Sequence, residues 1–315
     1  MMDTVLKVRG LAVDFKTDIG LTHALVDVGF DMPRGKVTAI VGESGSGKSV
    51  TANCIMRIIQ PPGKIVGGTI DFAPESMDPF EIVSLGKRDP RLQELRGGLI
   101  SMVFQEPMTA LSPVYTVGNQ VAEAILCHRK VGRQQAWKEA AEMLERVGIG
   151  DIDRRIRMYP FEFSGGMRQR VVIAMALVCH PEILICDEPT TALDVTVQAE
   201  ILTLIKDLQN ELGNSVLFIT HDIGVVAQLA DKVVVMYQGR VVEIGTVRQV
   251  LKDPMHPYTK GLLAAIPGLA PKGEPLATIA SVVGDTDISR PYPLISLPDG
   301  RQVSMPREQI PGAII

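Results

Sequence analysis

The chain has no apolar run approaching the ~18–20 residues that carry a helix across a bilayer, so no membrane-spanning helix is expected. Its longest apolar stretches, Val171–Cys179 and Val233–Tyr237, read as a buried helix and a buried strand. The opening Met1-Met2-Asp3-Thr4 lacks the basic-then-apolar order of a signal peptide, and none is expected. Cysteine is scarce. Cys54, Cys127, Cys179 and Cys186 are scattered, with no C-x-x-C pair and no Cys/His ligand spacing, which argues against a zinc site. Cys179 and Cys186 sit among apolar residues and read as small core side chains. Reduced thiols fit a cytosolic address. A basic excess is missing as well: the formal net charge is −4. Arg154, Arg155 and Arg157 form a short cluster that reads as a solvated helix end, so no nucleic-acid partner is expected. There is no internal repeat. What the chain has is apolar material: 46% of its 315 residues are hydrophobic. That is enough for one large or two modest cores, with apolar surface left for docking.

Alternation marks the first strands, at Leu6–Val8, Leu11–Phe15 and Ala24–Asp31. Pro33-Arg34-Gly35 reads as a turn before the short β-rich run Val37–Val41. Helical spacing follows over Ser49–Ile59 and is stopped by Pro61-Pro62-Gly63. From about Pro90 to Pro160 the pattern is helical, notably Val121–His128 and Gln134–Val147. Beyond it strands and helices alternate: Glu182–Cys186, Val195–Leu212, Ser215–Thr220, Ile223–Ala230 and Lys232–Tyr237. Such alternation implies an α/β fold with a mostly parallel sheet covered by helices. From Pro267 to Ile315 the chain is rich in Pro and Gly, with no long periodic segment.

Two segments carry chemistry. Gly42-Glu43-Ser44-Gly45-Ser46-Gly47-Lys48-Ser49 lies between a strand and a helix, the context of a phosphate-binding loop. Glycines let backbone N–H groups close around phosphate oxygens, and the following helix presents its positive end to them. Lys48 supplies a point charge at the β- and γ-phosphates, and the Ser49 hydroxyl can ligate Mg²⁺. Gly42, Glu43, Ser44, Gly45, Ser46, Gly47, Lys48, Ser49 and Val50 are the candidate phosphate contacts. The apolar strand Ile183–Cys186 delivers Asp187 and Glu188 to its C-terminal edge, where ligands of such sheets bind. Asp187 is placed to hold Mg²⁺. Glu188, expected on the opposite face of an extended chain, is the candidate for polarising an attacking water.

With further motifs in the same order and approximate spacing, residues 5–267 resemble the nucleotide-binding subunit of ATP-binding cassette (ABC) transporters. Gln105, in Val103-Phe104-Gln105-Glu106-Pro107, looks like the Q-loop. Ser164-Gly165-Gly166 looks like the signature motif, with Phe163 where Leu is commoner and Met167 in place of Gln. Thr191-Ala192-Leu193-Asp194 looks like the D-loop, and His221 like the switch histidine. Phe15 matches the aromatic that stacks on adenine. The resemblance implies a P-loop NTPase core of the ABC-cassette type. An antiparallel β subdomain, an inserted helical subdomain at about 107–163 and an irregular C-terminal extension at 255–315 would complete it, with the cassette spanning 1–254. It implies ATP and Mg²⁺ as ligands, with catalysis by Glu188, His221 and Gln105 and metal donors Ser49, Gln105 and Asp187. Two cassettes would stack head to tail, so that Ser164, Gly165, Gly166 and Asp194 of one meet the ATP on the glycine loop of the other. The implied partners are two transmembrane permease subunits, a second cassette (identical or homologous) and, indirectly, an extracytoplasmic substrate-binding protein. The implied address is the cytoplasmic face of the membrane.

His256-Pro257-Tyr258-Thr259-Lys260-Gly261-Leu262-Leu263 resembles the post-cassette segment of oligopeptide, dipeptide, glutathione and nickel importers. Many dipeptide-type relatives carry a C-terminal cysteine cluster for an iron–sulfur centre. Here no cysteine follows Cys186, and no such centre is expected. Pro291–Leu297 resembles the stretch after the first cassette of fused glutathione-type importers, which would favour a heterodimer. A soluble ABC-type ATPase without a membrane partner is the alternative. Such proteins usually carry two cassettes or a long coiled-coil insertion, and this chain has neither.

Overall fold

A computed structural model describes residues 3–18, 20–105, 110–191, 193–265, 279–283, 288 and 290–310. Residues 106–109 of the Q-loop stretch, Ala192 of the D-loop and 266–278 of the C-terminal segment lie outside the described residues. In strand β1 (Thr4–Thr17) Val5, Leu6, Val8, Leu11 and Val13 are buried, while Lys7 and Arg9 are exposed. This is the period of two that a half-buried strand requires. The two segments expected at Leu6–Val8 and Leu11–Phe15 are one strand. Gly10 at φ +59 and Gly68 at φ +88 pass so close that a Cβ on Gly68 would meet the Gly10 carbonyl oxygen at 2.5 Å, and the register shifts there. Only glycines allow that bulge. Strand β2 (Gly20–Pro33) returns antiparallel, with Phe30 opposite Val8.

Strand β3 (Val37–Val41) is buried throughout and runs into the glycine loop and helix α1 (Lys48–Ile55). The helix expected over Ser49–Ile59 therefore starts one residue early and ends four residues early. Arg57 adopts φ +55, a left-handed backbone that no continuing α-helix accepts. Strands β4 (Gly63–Phe72) and β5 (Phe80–Glu81) complete an antiparallel sheet in the order β2-β1-β4-β5.

The chain divides into two units. One comprises Pro74–Asp78 and Leu85–Phe218; the other takes in the remainder. In the first lie α2 (Arg91–Leu95), β6 (Ile100–Val103), α3 (Val117–His128), α4 (Arg133–Arg146), α5 (Ile152–Arg155), α6 (Gly165–Leu177), β7 (Ile183–Asp187) and α7 (Val195–Leu212). Helix α3 begins four residues before the expected Val121, because the Thr116 hydroxyl caps it by accepting the Asn119 N–H. Strands β6 and β7 are parallel, with Val103 opposite Cys186. Both bring their C-terminal ends to one edge. The next strand, β8 (Ser215–Thr220), is buried along its whole length.

The other unit resumes with α8 (Ile223–Leu229), β9 (Lys232–Tyr237), β10 (Arg240–Thr246), α9 (Val247–Lys252) and α10 (Pro257–Ala264). Strand β9 is parallel to β3, with Val41 opposite Val235, and antiparallel to β10. Ala39, Val41, Ile223, Val226, Val233, Val235, Val242, Val250, Tyr258 and Leu263 form one buried apolar cluster. Among the described residues of the tail no long regular segment occurs. The tail does contain α11 (Ile279–Val283) and a hairpin, β11 (Leu294–Ser296) with β12 (Gln302–Ser304). Glu243 of β10 stands opposite Val303 of β12, so the hairpin extends the sheet. Met255, Val303, Met305 and Ile310 make a small core beneath it.

Candidate nucleotide site

The glycine loop owes its shape to close packing. A Cβ on Gly42 would lie 2.2 Å from the Met236 carbonyl oxygen, and one on Gly47, at φ +100, would lie 2.6 Å from Leu25 Cδ2. Neither position tolerates a side chain without displacing its neighbours. The loop closes on itself through the Ser46 N–H, which donates to the Glu43 carbonyl at 3.2 Å. The Gly239 N–H donates to the Ser46 carbonyl at 3.1 Å. Lys48 is buried, and its Nζ donates to the Gly42 and Glu43 carbonyls at 2.8 Å each. The ammonium is thus curled into the loop it serves. Glu43, Ser44 and Gly45 are exposed, Ser49 and Val50 half-buried. The Ser46 hydroxyl is buried and has no hydrogen-bond partner, the kind of donor a phosphate oxygen satisfies. A cradle that a Cβ would fill, together with this orphan hydroxyl and the first turn of α1, fits a polyphosphate.

Phe15 lies on β1 opposite Gly63 and is half-buried. A Cβ on Gly63 would touch its ring at 2.6 Å, so the ring rests on the Gly63 backbone. His221 follows β8 and is exposed. The turn after it is fixed by two bonds: the Asp222 N–H donates to Thr220 Oγ1 at 3.0 Å, and Gly224 N–H to Asp222 Oδ1 at 2.8 Å.

The acidic pair sits at the end of β7. Asp187 is buried and Glu188 half-buried. Glu188 is not extended, contrary to the sequence expectation: its φ is +48, a left-handed conformation that is uncommon for a glutamate. Its carboxylate accepts from Gln105 Nε2 at 3.3 Å and from Thr191 Oγ1 at 3.1 Å, both on Oε2. Gln105, exposed at the end of β6, and Glu188 are therefore brought together, 83 residues apart in sequence. Thr191 is a contact that the sequence placed only within a motif. Gln105 and Asp187 in one unit, and Ser49 in the other, each carry a side-chain oxygen, the ligand type that Mg²⁺ takes.

Ser164 is exposed and caps α6, accepting the Met167 N–H at 3.3 Å. Gly166 faces Val197 so closely that a Cβ would lie 2.6 Å from Cγ1, and Gly165 approaches Leu193. The helix start is thus a neighbour of Leu193 and Val197. Asp194 caps α7, taking the Val197 N–H at 2.9 Å. Two capped helix N-termini, the positive ends of their helices, sit side by side.

Burial pushes the Cys54 thiol up to about 12 and the Cys186 thiol higher still, so both stay protonated. Tyr258, which the sequence marked only as part of a family segment, reaches the glycine loop. Its hydroxyl accepts the Glu43 N–H at 3.0 Å.

Two family models match the chain. "ABC transporter" covers residues 25–191, and "Oligopeptide/dipeptide transporter, C-terminal region" covers 242–288. The oligopeptide transport ATP-binding protein OppD of Bacillus subtilis (strain 168) is 51% identical over 86% of this chain and 74% of that protein. The glutathione import ATP-binding protein GsiA of Escherichia coli (strain K12) is 48% identical over 97% of this chain, which spans 47% of that longer protein. The dimeric post-hydrolysis structure of the ATP-binding cassette MJ0796, bound to ADP and Pi, superposes with a TM-score of 0.66 at 28% identity. That likeness covers 77% of this chain and 99% of the cassette.

Proposed function

The chain belongs to the ABC transporter family, and we propose on that premise that its ATP hydrolysis drives uptake of peptides or similar small solutes through partner permeases. It is an ATP-binding subunit and an ATPase. The observation that carries the peptide reading is the pairing, in one chain, of the cassette with the oligopeptide/dipeptide C-terminal region at 242–288.

We assign the site residues as follows. The loop amides and Lys48 hold the phosphates, and Phe15 stacks on the base. Ser49, Gln105 and Asp187 would hold Mg²⁺, which would supply charge neutralisation for the phosphates. Glu188 takes the proton of the attacking water, its carboxylate aimed by Gln105 and Thr191. His221 contacts the γ-phosphate. Ser164, Gly165, Gly166 and Asp194 serve the ATP of a second cassette, through the paired helix starts described above. Val195, beside Asp194, is 83% exposed, an apolar residue suited to that partner. A contact that needs the γ-phosphate closes the pair with ATP and opens it after hydrolysis.

For permeases, support comes from exposed apolar residues in the unit that holds Gln105. Phe104, Val114, Tyr115 and Phe161 are all exposed, and the Phe161 ring stacks on Tyr159 at 5.6 Å. Among the described residues no helix is long and apolar enough to cross a membrane. As a subunit docked on such permeases, the chain would sit peripherally, on the cytoplasmic face. In domain terms, 1–254 is the cassette, with the helical insertion at about 107–163, and 255–315 is the extension.

The test is isolation of the tagged chain from its native membranes in mild detergent, with mass spectrometry, alongside peptide uptake by cells lacking the chain. The expected result is two multi-span permeases, a second cassette and lost uptake of labelled short peptides. A preparation without multi-span proteins overturns the transporter reading. Permeases with unchanged peptide uptake overturn the peptide class.

A further inference from the structure

We infer that Tyr258 is a positioning residue for nucleotide binding, and that through it the C-terminal segment pre-forms the phosphate cradle. The inference rests on the glycine loop being the ATP site.

The contact joins positions 215 residues apart: the Glu43 N–H donates to the Tyr258 hydroxyl at 3.0 Å. Tyr258 is fully buried in the apolar cluster around Val41 and Val235, with its ring against Tyr237 at 4.4 Å. A hydroxyl on so fixed a ring has one place to be. Burial holds it protonated, its pKa pushed up to about 12.

What fixes Tyr258 comes from the tail. Helix α10 starts under the His256 ring, whose Nδ1 accepts the Tyr258 N–H at 3.1 Å. The same ring is hydrogen-bonded to the Ser304 backbone in β12. The Glu243 carboxylate, wholly buried, accepts the N–H groups of Met255 at 2.9 Å and His256 at 3.0 Å. Glu243 in turn lies opposite Val303 of the hairpin. An unbroken series of contacts thus leads from β12 through His256 and Tyr258 to Glu43.

The loop needs such a support. Gly45 at its tip, at φ +81, has open space where a Cβ would be, and Glu43, Ser44 and Gly45 are exposed. Ser46 is tied at its carbonyl by Gly239. Tyr258 ties the entrance of the loop at Glu43, next to the exposed tip at Ser44 and Gly45. A cradle fixed before binding loses less freedom when ATP arrives.

The test uses the full chain, a fluorescent ATP analogue with Mg²⁺, and thermal melting. Tyr258→Phe keeps the ring and removes the acceptor. Its Kd for the analogue should rise about three- to tenfold, as for one lost hydrogen bond, while Tm stays within about 2 °C of wild type. Leu263→Ala, in the same helix and cluster, should lower Tm and leave Kd unchanged. Wild-type affinity in Tyr258→Phe overturns the inference. So does an equal rise in Kd for Leu263→Ala, which would mean that general loosening weakens binding. A wild-type chain that binds no ATP analogue overturns the nucleotide reading and this inference with it.

Discussion

At the scale of single residues, backbone conformation decides which substitutions are informative. Glu188 holds φ +48, a left-handed geometry that costs a non-glycine residue about 1–2 kcal/mol. The Thr191 and Gln105 contacts to its carboxylate help keep it there. Glu188→Gln preserves an acceptor for both and removes only the base. ATP turnover should fall at least about a hundredfold, with ATP binding retained, as phosphate release and analogue titration would measure. Turnover within tenfold of wild type would remove Glu188 from its assigned role. Gly42→Ala acts differently, because its new methyl carbon would lie 2.2 Å from a backbone oxygen that cannot swing away. The loop must shift, and ATP affinity should drop about tenfold or more. An alanine variant binding as tightly as wild type would show the loop to be far more pliant than its packing implies. The need for glycine at 42 and 47 was legible in the sequence, since a phosphate loop requires close backbone approach. The left-handed Glu188 was not, because it follows directly on the end of the buried strand β7 and no glycine marks the turn.

At the scale of elements, the helix start at Ser164 combines two roles that substitution can separate. Its hydroxyl caps α6 by accepting the Met167 N–H, and the same N-terminus is assigned to the γ-phosphate of a partner's ATP. Aspartate caps as well as serine, so Ser164→Asp should change Tm by no more than about 2 °C. It also places a carboxylate where a phosphate must arrive. Hydrolysis by the assembled pair should therefore be lost while each chain still binds ATP, a result that ATPase and binding assays on the same protein would show. Hydrolysis at the wild-type rate would contradict the shared-site assignment. Elements with full alternation or uniform burial, such as β1, β3 and β7, were legible from their apolar spacing. Their exact ends were not. Helix α1 stops at Ile55, although Met56, Ile58 and Ile59 continue an apolar pattern, because the backbone turns left-handed at Arg57. The tail hairpin, with two strands of three residues each, is too short to carry a period. It exists because β10 offers an edge and Met255 offers apolar cover, and both lie about fifty residues earlier in the chain.

At the scale of the whole molecule, the stability of the chain is tied to pH through a buried histidine that the sequence showed only as part of a motif. His256 is 5% exposed, and burial pushes its imidazole down to about 4. Nδ1 must remain unprotonated to accept the Tyr258 N–H. In the unfolded chain the same ring titrates near its ordinary value of about 6.5. Between those two values the unfolded state binds more protons than the folded one, so stability falls as the pH falls. The contribution is fully present above about pH 6.5 and lost progressively towards pH 4, amounting to about 2 kcal/mol by pH 5. Glu243 works in the opposite direction. Burial raises its carboxyl above the usual range despite the Met255 and His256 N–H bonds, so the folded state holds its proton longer. A raw stability curve therefore mixes slopes of opposite sign, those of the partly buried His128 and His180 among them, and only a difference isolates His256. His256→Asn supplies it, since asparagine caps a helix well and does not titrate. Denaturant unfolding of both proteins from pH 7 to pH 5 should show wild type losing about 2 kcal/mol more than the variant. Parallel curves would mean that the folded chain admits the proton at little cost, and that the network from β12 to Tyr258 is looser than its burial implies.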